Sequence, residues 1–450
     1  MPSTPPVVPP PDEASPMPSP AGTGELEAAP PTKAYRYYVL GILVVVYTLN
    51  FLDRQVLGIL AKPIKQALDL SDGELGLMGG LAFAALYSTL GLPIAFLADR
   101  GSRRRIMTWA LALWSGFTAL CGFTHSFFQI FVARVGVGIG EAGGVAPAYS
   151  MISDYFPKSQ RARALAVYSL GIPIGSAAGI LFGGLIAQAI SWRAAFIIVG
   201  CVGIVVAPIF RYTVRDPKRG GYEPAVATAP TGENRVRFAE VFGIVSKKST
   251  FWLLAFGAAA SSVCGYGVAF WLPSFFMRSY GFSLGDTSWY YAAITFFGGC
   301  LGIVGGGVIA DRLGRANRSA YPLIPAAAFV VSLPCFFFAV NTSNPTVAFP
   351  LFLIPTGLNL MWLGPIITAV QHLVPGRMRT SASAMFLLIN NLIGIAIGYY
   401  YFGAVSDALR PRYGNESLRY AIYTGLGFYL IAAVLFVFAS RKIKKHWVEG

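Results

Sequence analysis

Long apolar blocks alternate with short polar stretches along nearly the whole chain. Each block holds about 18 to 25 residues, enough to cross a hydrocarbon core roughly 30 Å thick. Backbone groups in lipid must bond within their own segment, so the blocks are expected to be helices. They fall near residues 37–60, 75–98, 106–124, 127–152, 163–189 and 193–212, then 250–277, 287–310, 320–340, 346–371, 381–405 and 418–440. The pattern predicts an all-α polytopic membrane protein with twelve transmembrane helices in two six-helix pseudo-repeats. The expected units are a disordered tail over 1–33, six-helix bundles over 34–212 and 249–440, a linker over 213–248, and a basic tail over 441–450. The first tail is rich in Pro, Ala and Ser and lacks the apolar run of a signal peptide.

Composition agrees with this pattern. Hydrophobic residues make up 55% of the chain and charged residues 12%, against about 25% charged in an average soluble domain. The net charge of +15 raises nucleic acid as a partner, but the basic residues sit in short runs between apolar blocks. That is how charge sets membrane topology. Most of the 35 Lys and Arg residues lie on the side holding both tails and every even-to-odd loop. Both termini are therefore expected in the cytoplasm of an inner or plasma membrane. The five cysteines all fall in apolar blocks without a CxxC pair, and the three histidines are scattered. No metal site is expected.

The halves repeat. Ala98-Asp99-Arg100-Gly101-Ser102-Arg103-Arg104 closes the second block, and Ala310-Asp311-Arg312-Leu313-Gly314-Arg315 closes the eighth. Pro157 with Arg161 opens the fifth block, and Pro375 with Arg379 opens the eleventh, 218 positions on. Repeats of this kind mark many secondary transporters.

The segments around Asp99-Arg100 and Asp311-Arg312 resemble the cytoplasmic loop motif of the major facilitator superfamily. The first copy departs from it, with Ala95 and Ser102 where glycines are usual. Arg134-Val135-Gly136-Val137-Gly138-Ile139-Gly140 resembles a second superfamily motif. A narrower similarity is to the Spinster family of lipid transporters. It rests on Asn50-Phe51-Leu52-Asp53-Arg54, on Gly138-Ile139-Gly140-Glu141-Ala142 followed by Ser153-Asp154, on Arg161-Ala162-Arg163 with Ile172-Pro173-Ile174-Gly175-Ser176, and on Ser191-Trp192-Arg193. It is concentrated over 47–195. The resemblance implies movement of amphiphilic lipids such as lysophospholipids or sphingosine-1-phosphate, coupled to protons, with no other cofactor and with a monomer as the working unit.

The residues themselves carry further expectations. A charge at mid-membrane costs about 2.5–3.5 kcal/mol on insertion scales, so it usually serves a site. Asp53 and Arg54 are such charges, and neighbours on a helix point about 100° apart. One therefore faces a central cavity when the other faces a neighbouring helix. Arg54 offers a planar fork suited to phosphate or carboxylate. Glu141 stands two turns after Arg134 on the same face of its helix. Asp53 and Glu141 are the candidates for proton coupling. Arg54, Arg134, Tyr47, Asn359, Trp362 and Asn390 are the candidates for substrate binding. Asp99, Arg100, Arg104, Asp311 and Arg312 are candidates for a gate, against the plainer reading of topology charge alone.

Glycines 171, 175, 179 and 183 form one stripe and glycines 298, 302 and 306 another. Such stripes admit close helix packing in lipid, and the superfamily resemblance implies that the fifth and eighth spans meet where the halves rock. Three functions remain in competition: a proton-coupled carrier of an anionic amphiphile, an exporter of drugs or small organic anions, and a channel or sensor built on a carrier fold. An enzyme is not expected, because no Walker-type stretch, metal cluster or nucleophile-base set stands outside the blocks.

Overall fold

The computed structural model describes residues 32–217, 238–375 and 378–448. Most of the expected tail over 1–33 and the middle of the linker lie outside the described residues, as do the side chains of Asp99 and Asp311. The described chain is helical, without a strand. Span 1 is Lys33–Ile59, span 3 Arg103–Cys121 and span 6 Trp192–Thr213. Span 7 is Ser249–Ser279, span 8 Leu284–Ala316, span 9 Ala320–Asn341, span 11 Arg379–Tyr413 and span 12 Ser417–His446. Among the described residues, ten stretches are long and apolar enough to cross a membrane, and the last of them, Ser381–His446, contains spans 11 and 12. Span 3, with three arginines in its first turn, completes twelve.

Four spans are interrupted. Span 2 is Asp72–Gly79 plus Leu81–Arg100, span 4 is Phe127–Glu141 plus Val145–Tyr155, span 5 is Lys158–Ser169 plus Gly171–Ala189, and span 10 is Pro345–Leu360 plus Leu363–Gln371. Two of the breaks have one cause. Proline has no N–H, so the carbonyl four residues earlier loses its helix bond. Pro147 frees Gly143 and Pro365 frees Met361, and each freed carbonyl lies in its break. Span 2 breaks for another reason. A Cβ at Gly80 would stand 2.9 Å from the carbonyls of Ile395 and Ala396 in span 11, so only glycine permits that approach.

An amphipathic helix, Ala61–Leu68, joins spans 1 and 2, and the sequence pattern did not announce it. Ser71 and Glu74 then start span 2 with a reciprocal capping box, satisfying donors that a helix N-terminus leaves unpaired. Span 12 does not end at the expected boundary of the basic tail but runs on to His446.

The glycine stripes pack closely against neighbouring helices. A Cβ at Gly175 would lie 2.3 Å from the Thr48 carbonyl, and one at Gly179 would lie 2.4 Å from that of Leu52. The first stripe thus fastens span 5 to span 1 within one half. The second fastens span 8 to span 10, with Gly302 against the Gly357 carbonyl. Spans 5 and 8 do meet, through other positions: Gly184 against Ser288, Gly285 against Gln188, and Gly299 against Pro173.

Candidate functional site

A cavity of ≈ 290 Å³ lies between the halves. The first half contributes Tyr47, Phe51 and Arg54 from span 1, Tyr87 from span 2 and Tyr149 from span 4. The second half contributes Tyr266 from span 7, Asn359 and Trp362 from span 10, and Leu387 and Asn391 from span 11. Toward the termini the lining continues through Val145, Leu363 and Ile367.

Arg54 is the charged group in this lining. Its Nε donates to Glu141 Oε2 at 2.8 Å, and both residues are buried. Its guanidinium also lies over the rings of Phe51, Phe83 and Tyr87, with the carbon 5.0, 4.9 and 4.6 Å from the ring centres. Aromatic faces attract cations by their quadrupole, so the three rings hold the fork in place. Asp53, one residue earlier, turns away from the cavity and accepts from the Thr118 hydroxyl of span 3 at 3.2 Å. Arg134 is 1% exposed and sits behind the cavity wall, 5.6 Å from the Phe83 ring centre.

This half is under-satisfied. Buried polar atoms without a protein partner include both side-chain polar atoms of Asn50, Arg54 Nη2, Trp114 Nε1, Arg134 Nε and Nη1, and Glu141 Oε1. Buried polar groups are ordinarily paired, and a cluster of exceptions marks a functional or hydrated place. Trp114 and Thr118 carry no signal of this place in the sequence, because a Trp and a Thr in an apolar block read as packing.

The opposite wall is neutral, and its amides are hydrogen-bonded, although the buried Thr295 hydroxyl has no partner. Asn359 Oδ1 accepts from the Tyr429 hydroxyl at 3.0 Å. Asn390 does not reach the cavity. It is 1% exposed, its Oδ1 accepts from the Ser262 hydroxyl at 2.8 Å, and its amide donates to Asn391 at 3.3 Å. Asn391, about 100° further round the helix, is the one that lines the cavity.

On the side away from the termini the halves are locked together. Asp72, at the start of span 2, is fully buried and receives both Arg278 nitrogens at 2.8 and 2.7 Å. Lys65 Nζ at 2.5 Å and the Ser406 hydroxyl at 2.9 Å complete its shell. Asp407 in turn accepts from the backbone N–H of Asp72 and Gly73, at 3.1 and 2.6 Å. A carboxylate at a helix N-terminus meets the positive end of the helix dipole. Two carboxylates from different halves thus bind the same junction. The sequence showed Arg278 and Asp407 only as charges near span ends.

At the other side, the described candidate gate residues do not pair across the halves. The Arg104 backbone N–H donates to Asp216 at 3.0 Å, and its guanidinium reaches the Val214 carbonyl at 3.3 Å, both in its own half. Arg100 and Arg312 are exposed. The buried cation there is Arg103, bonded to Ser150, to Asp154 and to the Pro217 carbonyl. Asp99 and Asp311, as candidate gate residues, lie outside the described side chains.

Known proteins place this architecture. The Major Facilitator Superfamily profile matches residues 43–399. An MFS-type efflux pump of Mycolicibacterium smegmatis is 33% identical over 91% of this chain and 94% of its own. Protein spinster homolog 1 of Homo sapiens is 27% identical over 92% of this chain and 83% of its own. A crystal structure of a bacterial homolog to the human lysosomal transporter Spinster, inward-facing and unoccupied, superposes with a TM-score of 0.84 at 31% identity. It covers 93% of this chain and 100% of that one. A second structure of a bacterial Spinster homolog, inward-facing and occupied, gives a TM-score of 0.79 at 31% identity over 93% of this chain and 100% of that one. The chain belongs to the major facilitator superfamily and is an integral membrane transporter of the Spinster kind.

Proposed function

We propose that this chain is a proton-coupled secondary transporter that moves an anionic amphiphile by alternating access, with both termini in the cytoplasm. One observation carries the reading: Arg54 is shared between Glu141 and the cavity. Its Nε is held by Glu141 while its Nη2 has no protein partner. The other walls are mostly aromatic and aliphatic. A planar cation against apolar walls suits a phosphate or carboxylate carrying a hydrocarbon tail.

The coupling follows from competition. With Glu141 ionised, Arg54 is neutralised in place. Protonation of Glu141 withdraws that counter-charge and leaves the guanidinium to take the head group. Anion binding therefore strengthens as pH falls, and bound anion favours proton uptake by the same factor. Asp53, Arg134 and the unpaired Asn50 lie beside this exchange and tune it. With the far side locked at Asp72 and the lining running toward the termini, the chain stands open to the cytoplasm.

The efflux-pump relative favours a second reading, export of drugs or small organic anions through the same cavity. A binding screen of lysophospholipids and small anions at two pH values, with Arg54→Ala as control, separates the two. The first reading expects lysolipid binding that strengthens at the lower pH and vanishes in Arg54→Ala. Binding of lipids that is indifferent to pH and to Arg54 sinks it. Alternating protection of cysteines engineered on the two sides excludes a channel.

A further inference from the structure

A second cavity, of ≈ 270 Å³, lies at the terminus-side rim of the first half, apart from the central one. Lys33, Tyr37 and Leu40 of span 1 form one wall, and the Phe156 to Val167 stretch forms the other. Its floor is apolar: Leu40, Phe156 and Ala164 are buried, and Tyr37 stands edge-on to Phe156 at 5.7 Å. Its rim is cationic, for Lys33 and Arg163 are both exposed.

Arg163 belongs to the Arg161-Ala162-Arg163 motif that the central site leaves unused. Two positions on a helix are about 200° apart, and the arginines accordingly part company. Arg161 turns back to donate to the Phe156 carbonyl at 3.1 Å and holds the turn before span 5. Arg163 lines the cavity. Among the described residues neither Lys33 nor Arg163 has a carboxylate partner.

We infer that this groove binds one anionic phospholipid of the leaflet that meets the termini. The phosphate sits between Lys33 and Arg163, the glycerol reaches Gln160, and the upper acyl chain lies along Tyr37 and Val167. Charge complementarity selects the head group, since cations at the membrane surface attract anionic lipid by about 1 kcal/mol each. The depth profile selects a lipid over a soluble anion. Leu40 lies seven residues past Lys33, roughly 10 Å further along the helix, and Tyr37 and Val167 are 51% and 44% exposed on that apolar path. A soluble phosphate would leave this wall uncovered.

Native mass spectrometry of the full chain in detergent tests the site. The probes are phosphatidylglycerol, phosphatidylcholine with the same chains, and glycerol 3-phosphate as competitor. Phosphatidylglycerol is expected to bind more tightly than phosphatidylcholine. Lys33→Ala/Arg163→Ala should weaken it roughly ten- to thirtyfold. The double variant should weaken phosphatidylcholine less and leave the lipid-free melting temperature unchanged, since both side chains are exposed. Equal retention by the double variant overturns the proposal. So does displacement by glycerol 3-phosphate at matched concentration, or loss of binding in Arg54→Ala in place of the rim pair. The last result would put the lipid in the central cavity and leave the proposed transport function standing.

Discussion

The two halves repeat one architecture but solve polarity at membrane depth in opposite ways. The first half buries Asp53, Arg54, Arg134 and Glu141 and leaves several of their atoms unpaired. The second half buries Ser262 and Asn390 and lets them satisfy one another, and ties Asn359 to Tyr429. A neutral, satisfied network rigidifies a core, whereas a partly satisfied charged one keeps free energy in reserve for a binding event. One half is thus built to respond and the other to form a firm wall.

The sharpest way to break this asymmetry is in the responding half. Glu141→Gln leaves Arg54 without its counter-charge, and stripping one partner from a buried pair costs about 3–5 kcal/mol. Uptake in proteoliposomes should fall steeply and what remains should lose its pH dependence; an unchanged pH profile would refute the coupling role. Next is the lock between the halves. Arg278→Ala removes two bonds to Asp72 and should shift the population toward opening away from the termini, by about 3 kcal/mol if the pair behaves as a buried bridge. Distances between spin labels on the two halves report it, and Lys65 and Ser406 moderate the loss.

In the satisfied half the effects shrink. Asn390→Ala strands the Ser262 hydroxyl and should lower stability by about 1–3 kcal/mol, read by thermal melting, with substrate affinity nearly preserved. Asn391→Ala should do the reverse, weakening affinity by about tenfold or less, the worth of one hydrogen bond, with little change in melting. If both variants behave alike, the assignment of the two amides to wall and lining fails.

The sequence declared the large features because each had a local signature. Twelve apolar blocks, the repeated Asp-Arg loops and charges at forbidden depth are all written in consecutive residues. The partners of those charges across the fold are not. Nothing adjacent to Asp72 names Arg278, 206 positions away, and nothing near Asn390 says that its neighbour owns the cavity face. The glycine stripes were visible, yet the helix each accepts depends on which face the bundle turns inward. The breaks in spans 4 and 10 were legible in principle, since Pro147 and Pro365 each stand four places after a residue of the break, but an apolar count does not register a missing N–H.

Those two prolines are themselves 218 positions apart, the interval of the repeat. Each half therefore owns one proline-jointed span, broken beside the central cavity. The lower pieces, Val145–Tyr155 and Leu363–Gln371, can tilt inward beneath a bound guest with the upper pieces at rest and the opposite lock still fastened. The two breaks give each half a place where the piece toward the termini is joined to the rest by a turn and not by a continuous helix.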